Sequence, residues 1–169
     1  MTTATTVSAA DVGLAALAFA RGLTTRFAQD IADSDMTKVV TPSKKSAAWI
    51  LGHIAATDDY FYRKLSGRPS VLPEGFGTPF GGGSEAVDDP TKYPTKAKLV
   101  EALERTHKAL TSWYAGLGDD QLAAAPPKEA EMFGTTVAAV AGSIAWHEGV
   151  HTGQLIEVRC ALGLPRLLG

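Results

Sequence analysis

Apolar residues recur at spacings of three and four along four stretches of the chain, the pattern of amphipathic helices. The first stretch runs roughly from Ala10 to Ile31, with Leu14, Leu17, Leu23, Phe27 and Ile31 on a broad apolar side. The second runs roughly from Ser43 to Leu65, with Pro42 just ahead of its start. The third, Thr95 to Leu117, carries Leu99, Leu103, Leu110, Trp113 and Leu117 as its stripe and ends at Gly118. The fourth, Thr135 to Leu164, places Val140, Ile144, Leu155, Val158 and Leu162 on or beside one face. Thr135 or Thr136 can cap its start, and Gly163 with Pro165 stops it. No stretch alternates convincingly at period two. The pattern predicts an all-α four-helix bundle.

Between the second and third helices lies a long insert, Gly67 to Pro94, with Gly75, Gly77, Gly81, Gly82, Gly83 and five prolines. Little regular structure is expected in it, and a loop this long is usually functional or mobile. It also frees the second and third helices from being antiparallel neighbours, because it can cross the bundle. A shorter irregular segment, Ala125 to Gly134, leads into the fourth helix. The 169 residues fit one domain, 1–169, with residues 1–9 as a flexible tail.

Composition adds bounds. Hydrophobic content of 45% and charged content of 20% describe an ordinary soluble globule, and a net charge of −2 gives no sign of a nucleic-acid or anionic-membrane partner. No apolar run approaches membrane-spanning length. The start of the chain is Thr/Ala-rich with no basic region, so a frayed tail is expected there and not a signal peptide. The single Cys160 excludes an internal disulfide framework and suits a reducing cytoplasm. It lies about 180° around the helix from His151 and is expected to act as a small buried hydrophobe.

The chemistry concentrates in His147-Glu148-Gly149-Val150-His151. This reads H-E-x-x-H, the zincin protease pattern, and also a plain i, i+4 histidine pair. At about 100° per residue the two histidines sit about 40° apart on one helix face, so both imidazoles can reach one ion. The protease reading fails on its surroundings. The extended zincin motif would need glycine and histidine where Gln154 and Glu157 stand. The other version needs a glutamate from a later helix, and the only acidic residue after His151 is Glu157, on the same helix.

A pair of histidines on an apolar face needs a partner. His53, in Trp49-Ile50-Leu51-Gly52-His53-Ile54, shares its face with Ser46, Trp49, Ile50, Thr57, Tyr60 and Lys64, so it points inward and is the candidate third ligand. Gly52 beside it would let another group approach closely. His107, near Arg105 and Lys108, reads as a half-exposed histidine at the edge of its stripe.

The segments W-I-L-G-H-I-A-A-T-D from Trp49 and W-H-E-G-V-H-T-G-Q-L from Trp146, the latter closing on L-G-L-P, resemble the DinB/YfiT-like superfamily. These are four-helix bundles with a histidine in the second helix and an H-x-x-x-H pair in the fourth. The resemblance implies a metal triad of His53, His147 and His151 and a divalent ion, zinc or nickel. Three imidazoles by themselves suit zinc, nickel or copper. Three protein ligands leave one coordination position open for water or substrate. The resemblance also implies an enzyme, with small-molecule thiol-dependent transferases (bacillithiol or mycothiol) and a few hydrolases among its relatives, and a homodimeric habit.

Several neighbours of the triad follow from helical spacing. Thr57 and Tyr60 lie one to two turns beyond His53, and Ser143 and Gln154 flank the helix-four pair. Thr57, Tyr60 and Gln154 are candidate pocket or imidazole-orienting residues. For Ser143 an interhelical hydrogen bond is expected. Tyr60 and Glu148 are the candidate catalytic groups. Glu148 sits at the margin of the face, where a solvated surface role is expected and a general-base role is the alternative. Trp49 and Trp146 are expected to pack in a core or an interface. The remaining alternative to an enzyme is a non-catalytic dimeric bundle whose metal is structural or absent.

Overall fold

A computed structural model describes residues 7–165 and 167. It contains helices and, among the described residues, no strand. Four long helices build the bundle: α1 (Ala9–Ala28), α2 (Ala47–Ser66), α3 (Lys96–Ala115) and, after the short α4 (Asp119–Ala123), α5 (Val137–Ala161). Each long helix begins where a hydroxyl takes up an orphan backbone N–H. Ser8 accepts from the Asp11 amide and forms a capping box, Ser46 accepts from Trp49, Thr95 from Lys98 and Thr136 from Ala139. Gly67 (φ 68°) and Gly163 (φ 76°) take the left-handed conformation just past α2 and α5.

Some boundaries differ from the sequence reading. Ala9 is already the first residue of α1 and Ser8 its cap; residues 1–6 of the expected tail lie outside the described residues. α1 stops at Ala28, not Ile31, because Arg159 reaches across to the Phe27 carbonyl (2.7 Å) and the Asp30 carboxylate and ends the helix there. Ile31 then folds back, fully buried. Within 125–134 a 3-10 helix, Lys128–Phe133, forms after Pro127 and buries Ala130. Cys160 is exposed, not buried. Its side of α5 faces away from both α1 and α2, so nothing covers it.

Contacts fix the direction of every helix. Gly13 lies against Ala141, Arg21 bonds Glu148, Thr24 bonds Thr152, and Arg159 bonds Phe27. The numbers rise together, so α1 and α5 are parallel. Trp49 faces His151 while Phe61 meets Phe133, so α2 runs against α5. Arg21 bonds the Leu103 carbonyl and Lys96 bonds the Ile31 carbonyl, so α3 runs against α1. The packed neighbours α2 and α3 are therefore parallel. Only a connection able to travel back the length of a 20-residue helix, about 30 Å, permits this, and the insert 67–94 supplies it.

That insert is packed although it is mostly irregular. It contains two single-turn 3-10 helices, Thr78–Phe80 and Pro90–Lys92. The buried Asp59 carboxylate accepts from the Val71 amide and the Ser70 hydroxyl, both at 2.9 Å, which ties the start of the insert to α2.

Two apolar clusters fill the bundle. One gathers Phe27, Ile31, Trp49, Ile50, Leu51, Leu99, Leu155 and Val158; the other gathers Leu17, Phe61, Leu110, Tyr114, Val140 and Ile144. Between them runs a polar waist of Arg21, Thr24, Asp58, Thr106, Glu148 and Thr152, all buried. Arg21 is its hub: Nε donates to Glu148 Oε1 (2.8 Å), Nη2 to Asp58 Oδ2 (2.8 Å) and Glu148 Oε2 (3.2 Å), and Nη1 to the Leu103 carbonyl. One guanidinium thus joins all four long helices. Burial works against its charge, but the two carboxylates outweigh that and hold its pKa above the ordinary value. Burial also pushes Asp58 up to about 6, with Arg21 opposing and Glu148 reinforcing the rise.

Candidate metal centre

The antiparallel seam between α2 and α5 brings His53 opposite His147 and His151. The three offer ligand nitrogens that lie within 4.8 Å of one another. His147 Nε2 stands 3.2 Å from His53 Nε2 and 3.1 Å from His151 Nε2. Ligands of one tetrahedral ion, each at about 2.0–2.1 Å, stand roughly 3.3 Å apart. The sequence-predicted triad is therefore one cluster.

The outer nitrogens are held by carbonyl oxygens, which can only accept. His53 Nδ1–H donates to the Phe80 carbonyl (2.7 Å) and His151 Nδ1–H to Gln154 Oε1 (2.8 Å). In both rings Nε2 is left with its lone pair turned toward the cluster centre. A proton on one Nε2 can satisfy only part of such an arrangement; a cation satisfies all three. The residues present fit a divalent ion. The bond from Nδ1–H places Gln154 against the His151 ring.

Burial, and then repulsion from the neighbouring rings, lowers His147 to about 4. Burial lowers His151 to about 4 as well, against the pull of Gln154, with His53 and Lys45 adding to the fall. Burial lowers His53 too, opposed by its bond to Phe80. Trp49, 2% exposed, stacks on His53 at 4.6 Å and 12°. Lys45 Nζ lies 3.6 Å over the other side of the indole-bearing stack.

A cavity of about 500 Å³ opens on His53 and His147. Thr57 and Tyr60, both expected near the site, line it with Ala56, Phe61 and Phe80. The rest of its lining comes from the insert, on which the sequence reading made the pocket's shape depend, and from a segment that it did not assign to the site. The insert contributes Gly77, Gly81 and Gly82; the segment before α5 contributes Glu129, Met132 and Phe133. Glu129 is paired with Lys64 at the lip, 3.1 Å. A second cavity, about 400 Å³ and lined by Leu72, Phe76, Ala102 and Arg105 among others, shares no residue with the first.

Phe80 was the legible signal that went unread. With Phe76 it is one of two aromatics inside a glycine-rich run, and Gly52 is a place of close approach. A Cβ on Gly52 would stand 2.2 Å from the Phe80 ring. Trp49 Nε1–H donates to Ser84 Oγ (2.8 Å) and Lys45 Nζ to the Ser84 carbonyl (2.6 Å), so the insert is strapped onto α2 at the level of the triad.

Other expectations need correction. Glu148 is not a solvated surface residue: it is 1% exposed and committed to Arg21, since α5 turns that face onto α1. Its place in the polar waist also removes it from the general-base role. Trp146 is 71% exposed and belongs to no core. Ser143 does bond across elements, donating to the Phe133 carbonyl. His107 stays apart from the triad, half-buried on α3, with its Nδ1 unpartnered among the described residues.

The model of the DinB superfamily matches residues 16–155. The chain belongs to the DinB superfamily. Two solved structures share this DinB fold. A conserved protein from Enterococcus faecalis gives a TM-score of 0.72 at 15% identity, covering 94% of this chain and 99% of its own. YfiT from Bacillus subtilis, described as a probable metal-dependent hydrolase with an unusual four-helix bundle topology, gives 0.63 at 15% identity, covering 98% and 95%. No curated protein matches the chain.

Two outcomes are expected at the DinB site. Because His147 and His151 titrate near 4 when folded and near 6.5 when unfolded, the folded apo-protein binds fewer protons in that interval and loses stability as pH falls through it. For the same reason zinc affinity, measured by competition with a chromophoric chelator, should change less than about fivefold between pH 7.5 and 6; ordinary imidazoles would lose on the order of fiftyfold. Gly52→Ala should leave the melting temperature little changed or lowered, as helix propensity (about 1 kcal/mol) opposes overpacking (about 1–3 kcal/mol). By displacing Phe80 and the carbonyl on His53 it should weaken zinc binding about 10–100-fold. Unchanged affinity would show that Phe80 does not orient the ligand.

Proposed function

We propose that this DinB protein is a metal-dependent enzyme that joins a low-molecular-weight thiol to a small electrophile, with His53, His147 and His151 as ligands of a zinc or nickel ion. The convergence of three Nε2 atoms, two of them with lone pairs turned inward, beside a cavity of about 500 Å³ lined by His53 and His147 carries the reading. A divalent ion held there would supply Lewis acidity and make a bound thiol or water easier to deprotonate. The chain's own part is to fix three imidazoles in neutral form, keep one coordination position facing the cavity, and surround it with Phe61, Phe80 and Phe133. Tyr60 and Thr57 are placed to bond the electrophile or its departing group. In the overall reaction the thiol proton goes to solvent, a sulfur–carbon bond forms, and the bond to the leaving group breaks.

The choice of thiol over water as nucleophile rests on what lines the cavity. Glu148, which an H-E-x-x-H protein would use as base, is locked to Arg21, and Glu129 is paired with Lys64. No other carboxylate among the described residues lines the cavity. A thiol needs less help than water, because its pKa of about 8.5 lies far below the roughly 15.7 of water. Hydrolysis is the second reading, favoured by the description of YfiT. A non-catalytic bundle with a structural ion is the third.

Metal-reconstituted protein should turn over small electrophiles only when bacillithiol, mycothiol or a similar thiol is present, and His53→Ala should abolish both stoichiometric metal and turnover. Turnover without thiol would support hydrolysis. Metal that cannot be removed without unfolding, with no turnover at all, would support the structural bundle.

A homodimer is the second part of this proposal. Residues 12–25 and 137–156 each contain one charged residue, Arg21 and Glu148, and both are buried. Over these stretches the exposed side of α1 and α5 is therefore uncharged, with Val12 (63% exposed), Phe19 (71%), Trp146 (71%) and Val150 (43%) standing out from it beside Gly142, Gly149 and Gly153, and the exposed charges Asp11, Arg26 and Glu157 lie beyond its ends. By contrast α3 carries six charges between Lys96 and Lys108. Protruding rings and glycine hollows on one uncharged surface suit an isologous contact between two copies. No helix among the described residues is long and apolar enough to cross a membrane, and the single cysteine fits a cytoplasmic setting. Light scattering coupled to size exclusion should give a dimer for the wild type and a monomer for Phe19→Glu/Trp146→Glu; a monomeric wild type would remove the proposal.

A further inference from the structure

All three ligands come from α2 and α5, yet the group that ties those two helices together inside the bundle comes from α1. Asp58 lies a turn and a half beyond His53 on α2, and Glu148 is the residue after His147 on α5. Both carboxylates are buried, 2% and 1% exposed, and both bond the same guanidinium, itself 7% exposed. We propose that Arg21 is a positioning residue for the metal site: its fork, shared between Asp58 and Glu148, sets the separation of α2 and α5 at which the three Nε2 atoms meet. The proposal rests on the three-histidine reading above.

The geometry explains why arginine stands there. Nε and Nη2 grip Glu148 in a two-point contact, Nη2 also holds Asp58, and Nη1 is spent on the Leu103 carbonyl. A planar fork with donors at fixed angles sets three directions at once, which a lysine ammonium cannot do. Without the cation, two carboxylates would face each other across the seam and push α2 from α5. Stability alone gives no reason for such a group, since a well-packed apolar core often serves as well as a buried ion pair or better. A metal site does give one, because ligands must be held to within about half an ångström.

Zinc and cobalt(II) titrations of apo-protein test this, beside circular dichroism and thermal melts. Arg21→Met should keep its helical signal, bind zinc at least tenfold more weakly and alter the visible cobalt spectrum; Arg21→Lys should fall between it and the wild type. If Arg21→Met does not fold, Asp58→Ala and Asp58→Asn make the same comparison. The alanine, which releases α2 from the hub, should weaken zinc binding at least tenfold. The asparagine, whose carbonyl can still accept from Nη2, should bind within about threefold of wild type. Folded variants with lowered melting temperature but wild-type zinc affinity and cobalt spectrum would overturn the proposal and leave the waist purely structural. A wild type that binds neither metal would instead overturn the underlying three-histidine reading.

Discussion

Three imidazole Nε2 atoms crowded onto one point, two of them with lone pairs turned inward, are an unstable arrangement unless something positive sits among them. In this protein the surroundings remove every easy escape. Burial disfavours protonation, the Phe80 and Gln154 oxygens hold two rings by the opposite nitrogen, and Trp49 blocks one ring from swinging away. The chain spends conformational freedom to keep electron pairs facing each other. A cation turns this from a liability into the most favourable contact in the seam, and for this reason the rest of the architecture is best understood as support for it.

That support depends on an uncommon direction of travel. In an up-down-up-down bundle α2 and α3 would be antiparallel and the link between them short. Here they are parallel, and the 28 residues 67–94 that make the return trip also form one wall of the cavity. One segment thus satisfies a topological need and a chemical one. Its attachment to α2 runs through Lys45, Trp49, Gly52 and His53, the same turns that present the ligand. Displacing the insert therefore cannot leave His53 untouched.

The sequence made the helices and the triad legible for a simple reason: both depend on short-range periodicity. An i, i+4 pair declares its own geometry, and His53 shares a face with Trp49, Thr57 and Tyr60 that any helical projection shows. The parallel pairing was half visible, because a 28-residue insert permits it without requiring it. What stayed hidden depends on contacts between segments far apart in the chain. Glu148 looked like a marginal surface residue because its partner is 127 positions away. The available signal was compositional: Arg21 is the only charge between Val12 and Thr25, and it falls on the apolar side of its helix. Cys160 was misjudged for a related reason. Facing away from the site is not the same as facing a neighbour, and the side of α5 that carries Cys160 is exposed.

The fate of Glu148 also bears on what kind of chemistry this fold can host. In an H-E-x-x-H protease the glutamate beside the first ligand must reach the water that attacks. Here the same residue points through the bundle to α1, about 100° around the helix from His147, and is held there by two bonds to one guanidinium. The motif is present and the machine is not. A site without a free carboxylate works best on a nucleophile that needs little deprotonating power, and its discrimination must then come from shape. The walls fit that demand: aromatic rings from α2, the insert and the segment before α5 line the cavity beside His53 and His147, while the paired Lys64 and Glu129 mark the rim.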